Sequence, residues 1–386
     1  MRYRSTPALF AVATFALSAV AFFPAFAAPP LIQPPSAPNV IRPAGGHFSF
    51  RRPASLAVLA ATPQAQTLLG VSFAGSNVAE FTSSGAACLT AGKGEPPAGS
   101  IPPCGAGTPQ DPPGGGALQL TPSARNASGF VIAKKALSTT AGLIITFTAY
   151  SFDGTRPGAD GLVFFLTNAN RTRPVASGPP DFALGYAGAG LLAGLENGYL
   201  GIGFDEAGNF SNFNLGLTGG WGAVPNAVVV RGAESTNYAF LATTRNAAGY
   251  PAGLPFELSY PTVTARPANA PTVRITLTPA GILSVAIDAH DGNGFLEDIA
   301  ARMIVGARGA NVFAAIPQPR VPPWVYIGFS ATTSPWGAER HQIAGLTVST
   351  IGAPVIAGPG APQAPPDPDA SAVPAVTGSL SVAAPR

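Results

Sequence analysis

Carboxylates are scarce in this chain, so the few that fall in glycine-rich settings are the first places to look for chemistry. Asp205 ends the run Tyr199-Leu200-Gly201-Ile202-Gly203-Phe204-Asp205, and Gly208 and Asn209 follow it. A carboxylate and an amide oxygen four residues apart across a tight loop suit a hard cation such as Ca²⁺. Read as a strand, the run alternates. Leu200, Ile202 and Phe204 turn to a core, and Tyr199, Gly201, Gly203 and Asp205 share the other face. Asp205 is thus expected at a strand end on a face cleared by two glycines. Asp160 lies between Gly158 and Gly161, just ahead of the apolar run Leu162–Leu166. Its small neighbours leave room for a flat polar ligand.

Other chemistries find less support. Glycoside hydrolysis needs two carboxylates facing one cleft, but Asp205 and Glu206 are adjacent, and adjacent strand residues point to opposite faces. The acidic stretch Asp288-Ala289-His290-Asp291-Gly292-Asn293-Gly294 misses the EF-hand spacing, and its residue types are those of a hairpin turn. No G-x-S-x-G nucleophile elbow occurs. His341, near a strand start, reads as a packed or surface residue. The lysines are Lys93, Lys134 and Lys135 only, which is no clustered footprint for nucleic acid.

The elements that must position these residues read as strands. The chain has 386 residues, with 46 Gly, 42 Pro and only 10% charged residues. Gly and Pro in helix interiors cost roughly 1 and 3 kcal/mol each, so helix is excluded as the main element. The glycines lack a three-residue period, which excludes collagen. The 23 Phe, 8 Tyr and 3 Trp supply a core to bury, which argues against simple disorder. Leu143–Tyr150 is a β-type run. Leu162–Leu166 is apolar on both faces and should lie between layers. Val273, Ile275 and Leu277 alternate inward, Pro279-Ala280-Gly281 turns the chain, and Ile282–Asp288 completes a hairpin. Trp324–Ala331 and Gln342–Ser349 add two more strands. Short strands with Gly/Pro turns mean an all-β sandwich or jelly roll.

Residues 1–27 read as a signal peptide. Arg2 and Arg4 precede an apolar stretch from Ala8 to Phe23, and Ala25-Phe26-Ala27 offers a small-x-small cleavage site. The expected product is secreted, to the periplasm, cell surface or medium, and does not span a membrane. Residues 28–67 read as a Pro/Ala-rich linker, 68–350 as one domain and 351–386 as a Pro/Ala-rich tail. Cys88 and Cys104 bracket a Gly/Pro-rich segment and are expected to form a disulfide in an oxidising compartment.

The order A-D-G before a hydrophobic strand (Ala159-Asp160-Gly161), then a Gly-rich segment, then F-D-x-x-x-N (Phe204 to Asn209) resembles the L-type, legume-like lectins, and more closely their bacterial relatives. Ala117–Thr121, Gly129–Ile132, Val325–Ala331 and His341–Ile343 are similar to that family's early and closing strands, so the resemblance covers about 70–350. It implies a concanavalin A-like jelly-roll sandwich of antiparallel sheets that binds glycans without catalysis. Asp160 would hydrogen-bond sugar hydroxyls. Asp205 and Asn209 would hold Ca²⁺, with Asn209 also facing the sugar. Backbone N–H groups of Gly185–Gly190, Gly188 among them, would add a donor. Phe210, Phe213 and Trp221 are candidates for stacking on a sugar ring, against the plainer reading that they plug the sandwich end.

The chain departs from the plant pattern. Gly203 stands where a Glu ligand is usual, Asn226 falls about where a His would, and between Glu206 and Ile287 there is no Asp or His. A transition-metal site of that pattern is not expected. The incomplete set also keeps open a structural surface or adhesion module of the same fold that binds no sugar.

Overall fold

Alternation of apolar and small residues dictates what this chain builds, and the computed structural model shows two stacked antiparallel sheets. It describes residues 64–352, except 107, 109, 157, 245–252 and 305–317, together with 363–366 and 368. The expected signal peptide, nearly all of the expected linker and most of the expected tail lie outside the described residues.

The first sheet runs in the order β14 (Phe295–Met303), β13 (Ile282–Asp288), β12 (Thr272–Leu277), β7 (Leu143–Phe152), β16 (Arg340–Ser349), β4 (Leu118–Thr121) and β3 (Cys88–Leu89), and β1 (Thr67–Val71) also pairs β16. The second runs β11 (Phe240–Thr243), β10 (Ala227–Arg231), β9 (Gly198–Asp205), β8 (Gly161–Asn168), β15 (Trp324–Thr332), β5 (Ser128–Ala133) and β2 (Phe81–Gly85), and β6 (Leu137–Ser138) also pairs β15. Each expected strand is present. The β12–β13 hairpin pairs Leu277 with Leu283 across a turn in which Gly281 has φ 83°. The acidic stretch 288–294 is the turn into β14. Asp288 and Asp291 there accept the backbone N–H groups of His290 and Asn293. Among the described residues no helix is long and apolar enough to cross a membrane.

The sheets meet through an apolar core. Phe147 from β7 packs edge-on against Phe204 of β9 and Phe329 of β15, with Phe164 of β8 beside them. Burying side chains of this size stabilises by roughly 1.5–3 kcal/mol each. The other face of β8, Val163 and Phe165, is buried as well, in a second apolar cluster with Phe130, Tyr186, Phe210, Val229 and Phe240. The two loops around Tyr186 and Phe210 therefore form a further layer over the second sheet. At the sheet edge Cys88 and Cys104 are disulfide-bonded, Cα to Cα 4.8 Å.

Candidate functional site

Asp205 is the last residue of β9 and is fully buried. Gly208 and Asn209 donate their backbone N–H groups to its Oδ1 at 2.8 and 3.1 Å, and Ser211 donates to Oδ2 at 3.2 Å. Burial pushes this carboxyl up to about 7, against the downward pull of those donors. Arg231, the charged end of the apolar strand β10, is buried nearby. Its guanidinium donates to the carbonyls of Phe210 (2.8 Å), Thr218 (3.1 Å), Tyr238 (3.1 Å) and Gly219 (3.2 Å), and it lies over the Phe210 ring. Burial lowers Arg231 to about 9, and the charge of Asp205 opposes that fall. One carboxylate thus gathers amides of the 206–222 loop, and one guanidinium gathers its carbonyls.

That arrangement does not fit a Ca²⁺ at Asp205 and Asn209. Ca²⁺ takes about six to eight oxygen ligands. Here there is one carboxylate, and the neighbouring positive charge is an arginine. Asn209 reaches Asp205 through its backbone. Asn226, where the family pattern would put a His, holds the 254–258 segment. Its side chain donates to the Phe256 carbonyl and accepts from Leu258 N–H.

The glycines of β9 do not clear an open face. A Cβ on Gly201 would lie 2.4 Å from the Tyr186 ring, and one on Gly203 would lie 2.5 Å from the Phe210 ring. The space they leave is filled by the covering loops. Phe210 is a core plug, whereas Phe213 and Trp221 are 44% and 37% exposed. Gly188 is buried, and the backbone of Leu192 and Gly194 and the side chain of Asn237 pack on it.

Asp160 sits at the rim of the sandwich, where the 158–160 turn enters β8. It is 2% exposed, and its Oδ2 has no partner. Asp181 and Ser334 lie close to its carboxyl. Burial first, then the charges of Asp181 and Asp205, push it up to about 8. Asp181 is half-buried. Ser334 accepts the N–H groups of Trp336 (3.3 Å) and Gly337 (3.2 Å), and Trp336 is 84% exposed. The rim therefore sets a half-buried carboxyl and an open indole over a buried carboxyl and hydroxyl of Asp160 and Ser334. Asp181, Ser334 and Trp336 are not picked out by the sequence patterns. The signal was a tryptophan in the polar Thr332–Arg340 stretch after an apolar strand.

Glu206 turns away from Asp205, as strand alternation requires. It meets Glu339 and His341 behind the Asp160 loop, with ligand-type atoms of the three residues all within 4.8 Å of one another. Burial pushes Glu206 up to about 7 and Glu339 to about 10, and lowers His341 to about 4.

No protein-family model and no curated protein matches the sequence. Among solved structures, a Lotus tetragonolobus seed lectin isoform is similar at 16% identity and TM-score 0.45, over 74% of this chain and 100% of that one. The lectin from Bauhinia forficata in complex with GalNAc is similar at 16% identity and TM-score 0.43, over 75% and 100%. The Ca²⁺/Man2-bound VIP36 exoplasmic/lumenal domain is similar at 15% identity and TM-score 0.43, over 72% and 83%. The likeness is one of sheet architecture, and no residue's role is carried across from it.

Proposed function

We propose that this chain is an exported carbohydrate-binding protein that recognises glycans at the Asp160 rim without turning them over. The observation that carries the reading is the rim itself. Among the described residues one Asp160 oxygen is unpartnered, the neighbouring Asp181 is half-buried, and Trp336 stands open two residues from Ser334. Sugars present hydroxyls to carboxylates and an apolar ring face to aromatics, and this pairing offers both. In this reading Asp181 meets the hydroxyls, the buried Asp160 and Ser334 support it, and Trp336 stacks on the ring. Asn209 and Trp221, in the loop held by Asp205 and Arg231, flank the site as secondary contacts. Ca²⁺ has no part at Asp205, where Arg231 supplies the positive charge.

The rival is a surface module of the same fold that binds no sugar. The filling of the β9 glycine face by Tyr186 and Phe210 favours it, because no open groove is left there. A glycan array on the mature protein, with and without EGTA, separates the two. Sugar binding predicts retained signal in EGTA. It also predicts a roughly three- to tenfold loss for Trp336→Ala, the scale of one aromatic contact, and a comparable or larger loss for Asp181→Ala. Absence of any glycan signal from folded protein sinks the sugar reading and leaves the structural module.

A further inference from the structure

The cluster behind the Asp160 loop presents three acceptors to one another. Thr121 Oγ1 lies 2.9 Å from the Glu339 carbonyl and donates its single proton there. His341 Nδ1 is 2.7 Å from the same Oγ1, and with the threonine proton on the carbonyl the tautomer protonated at Nδ1 donates to it. In the buried neutral ring Nε2 then carries a lone pair, and it points at Glu206 Oε1, 3.2 Å away. The other oxygen, Glu206 Oε2, is buried and has no partner, on a side chain 3% exposed. Both oxygens of Glu339 accept hydrogen bonds. Ser259 donates its hydroxyl to Oε1 at 2.6 Å and Ala159 its N–H to Oε2 at 3.3 Å. Glycine is required at 158, since a Cβ there would lie 2.1 Å from Glu339 Oε2.

An imidazole nitrogen and two carboxyl groups meet here out of water, where either a shared proton or a metal ion between them relieves the crowding of acceptors. We propose that Glu206, Glu339 and His341 bind a divalent zinc-type metal ion, which ties the end of β9 to the start of β16 and, through Ala159, steadies the Asp160 turn. The donor set selects the ion. One nitrogen and carboxylate oxygens suit four-coordinate Zn²⁺, with a water as fourth ligand, whereas Ca²⁺ prefers an all-oxygen shell of higher number. The Thr121 bond to Nδ1 is the outer partner that fixes a ligating imidazole. The site lies on the opposite side of the β9 end from Asp205 and is independent of whether the rim binds sugar.

The test is metal content and stability, with no glycan present. Chelator-stripped full chain is given Zn²⁺, Mn²⁺ or Ca²⁺, and bound metal and Tm are measured. The expected result is one Zn²⁺ per chain and a Tm rise of about 5 °C at a hundredfold excess over Kd, with Ca²⁺ giving neither. His341→Ala and Glu339→Gln should lose the zinc. If either variant does not fold, zinc X-ray absorption of the wild type decides, with one imidazole in an otherwise oxygen shell expected. Folded wild type that takes up no zinc and gains no Tm overturns the proposal and leaves a proton on Glu206 as the bridge. Zinc retained by both variants, or a shell without imidazole, overturns it equally.

Discussion

At the scale of the residue, a buried charge without a partner sets the pH response. Asp298 lies in β14 where the register slips, since Val285 faces Ile299 and Ala286 faces Glu297, leaving Asp298 as the extra residue of a bulge. It is fully buried, and among the described residues both carboxyl oxygens lack a partner. Burial alone raises it to about 7. A raised carboxyl holds its proton in the folded state after the unfolded chain has lost it. Its contribution is full below the unfolded value near 4, and it is lost as pH rises through about 7. Asp298→Asn should therefore leave Tm nearly unchanged at pH 4 and raise it relative to wild type at pH 8. Equal pH slopes for the two proteins, read from melts across that range, would count against this account. Such a residue is not legible from sequence, because a lone Asp in an edge strand reads as solvated until the bulge turns it inward.

At the scale of the element, alternation was legible and occupancy was not. Period two in Tyr199–Asp205 correctly turns Leu200, Ile202 and Phe204 to the inter-sheet core, and the same rule separates Asp205 from Glu206. It also puts Gly201 and Gly203 on one face, but a face bare of side chains in a strand says nothing of what a distant loop lays upon it. Here Tyr186 and Phe210 fill it. Glycine in β9 is thus a packing requirement. Gly203→Ala would drive a methyl into the Phe210 ring and should cost about 1–3 kcal/mol, the usual range for overpacking. Urea unfolding measures it directly. A change within 0.5 kcal/mol, the ordinary range for uninvolved sites, would mean that the loop layer yields freely.

At the scale of the whole molecule, what the chain adds to a two-sheet sandwich is that layer, and its hold on the second sheet depends on one cation. Arg231 ends an apolar strand, and in sequence it looks like the charged boundary of Val228–Val230. Its four carbonyl partners belong to Phe210, Thr218, Gly219 and Tyr238, none of which sequence spacing would associate with it. Together with Asp205 it ties the 206–222 loop to β9 and β10, so the loop should resist opening as the strands do, although it contains no regular strand of its own. In wild type, amide exchange at Gly208, Asn209 and Ser211 should be slow, because their N–H groups are bound to a buried carboxylate. Arg231→Met keeps much of the bulk and removes the donors, leaving buried carbonyls unpaired at about 1–3 kcal/mol each. The expected pattern is faster exchange across 206–222 with β7 and β12, on the far sheet, still protected. Adding Ca²⁺ should leave the wild-type pattern unchanged if Arg231 and Asp205 alone hold this loop. Exchange that quickens uniformly over both sheets in Arg231→Met would show instead that the covering layer and the sandwich open as one unit.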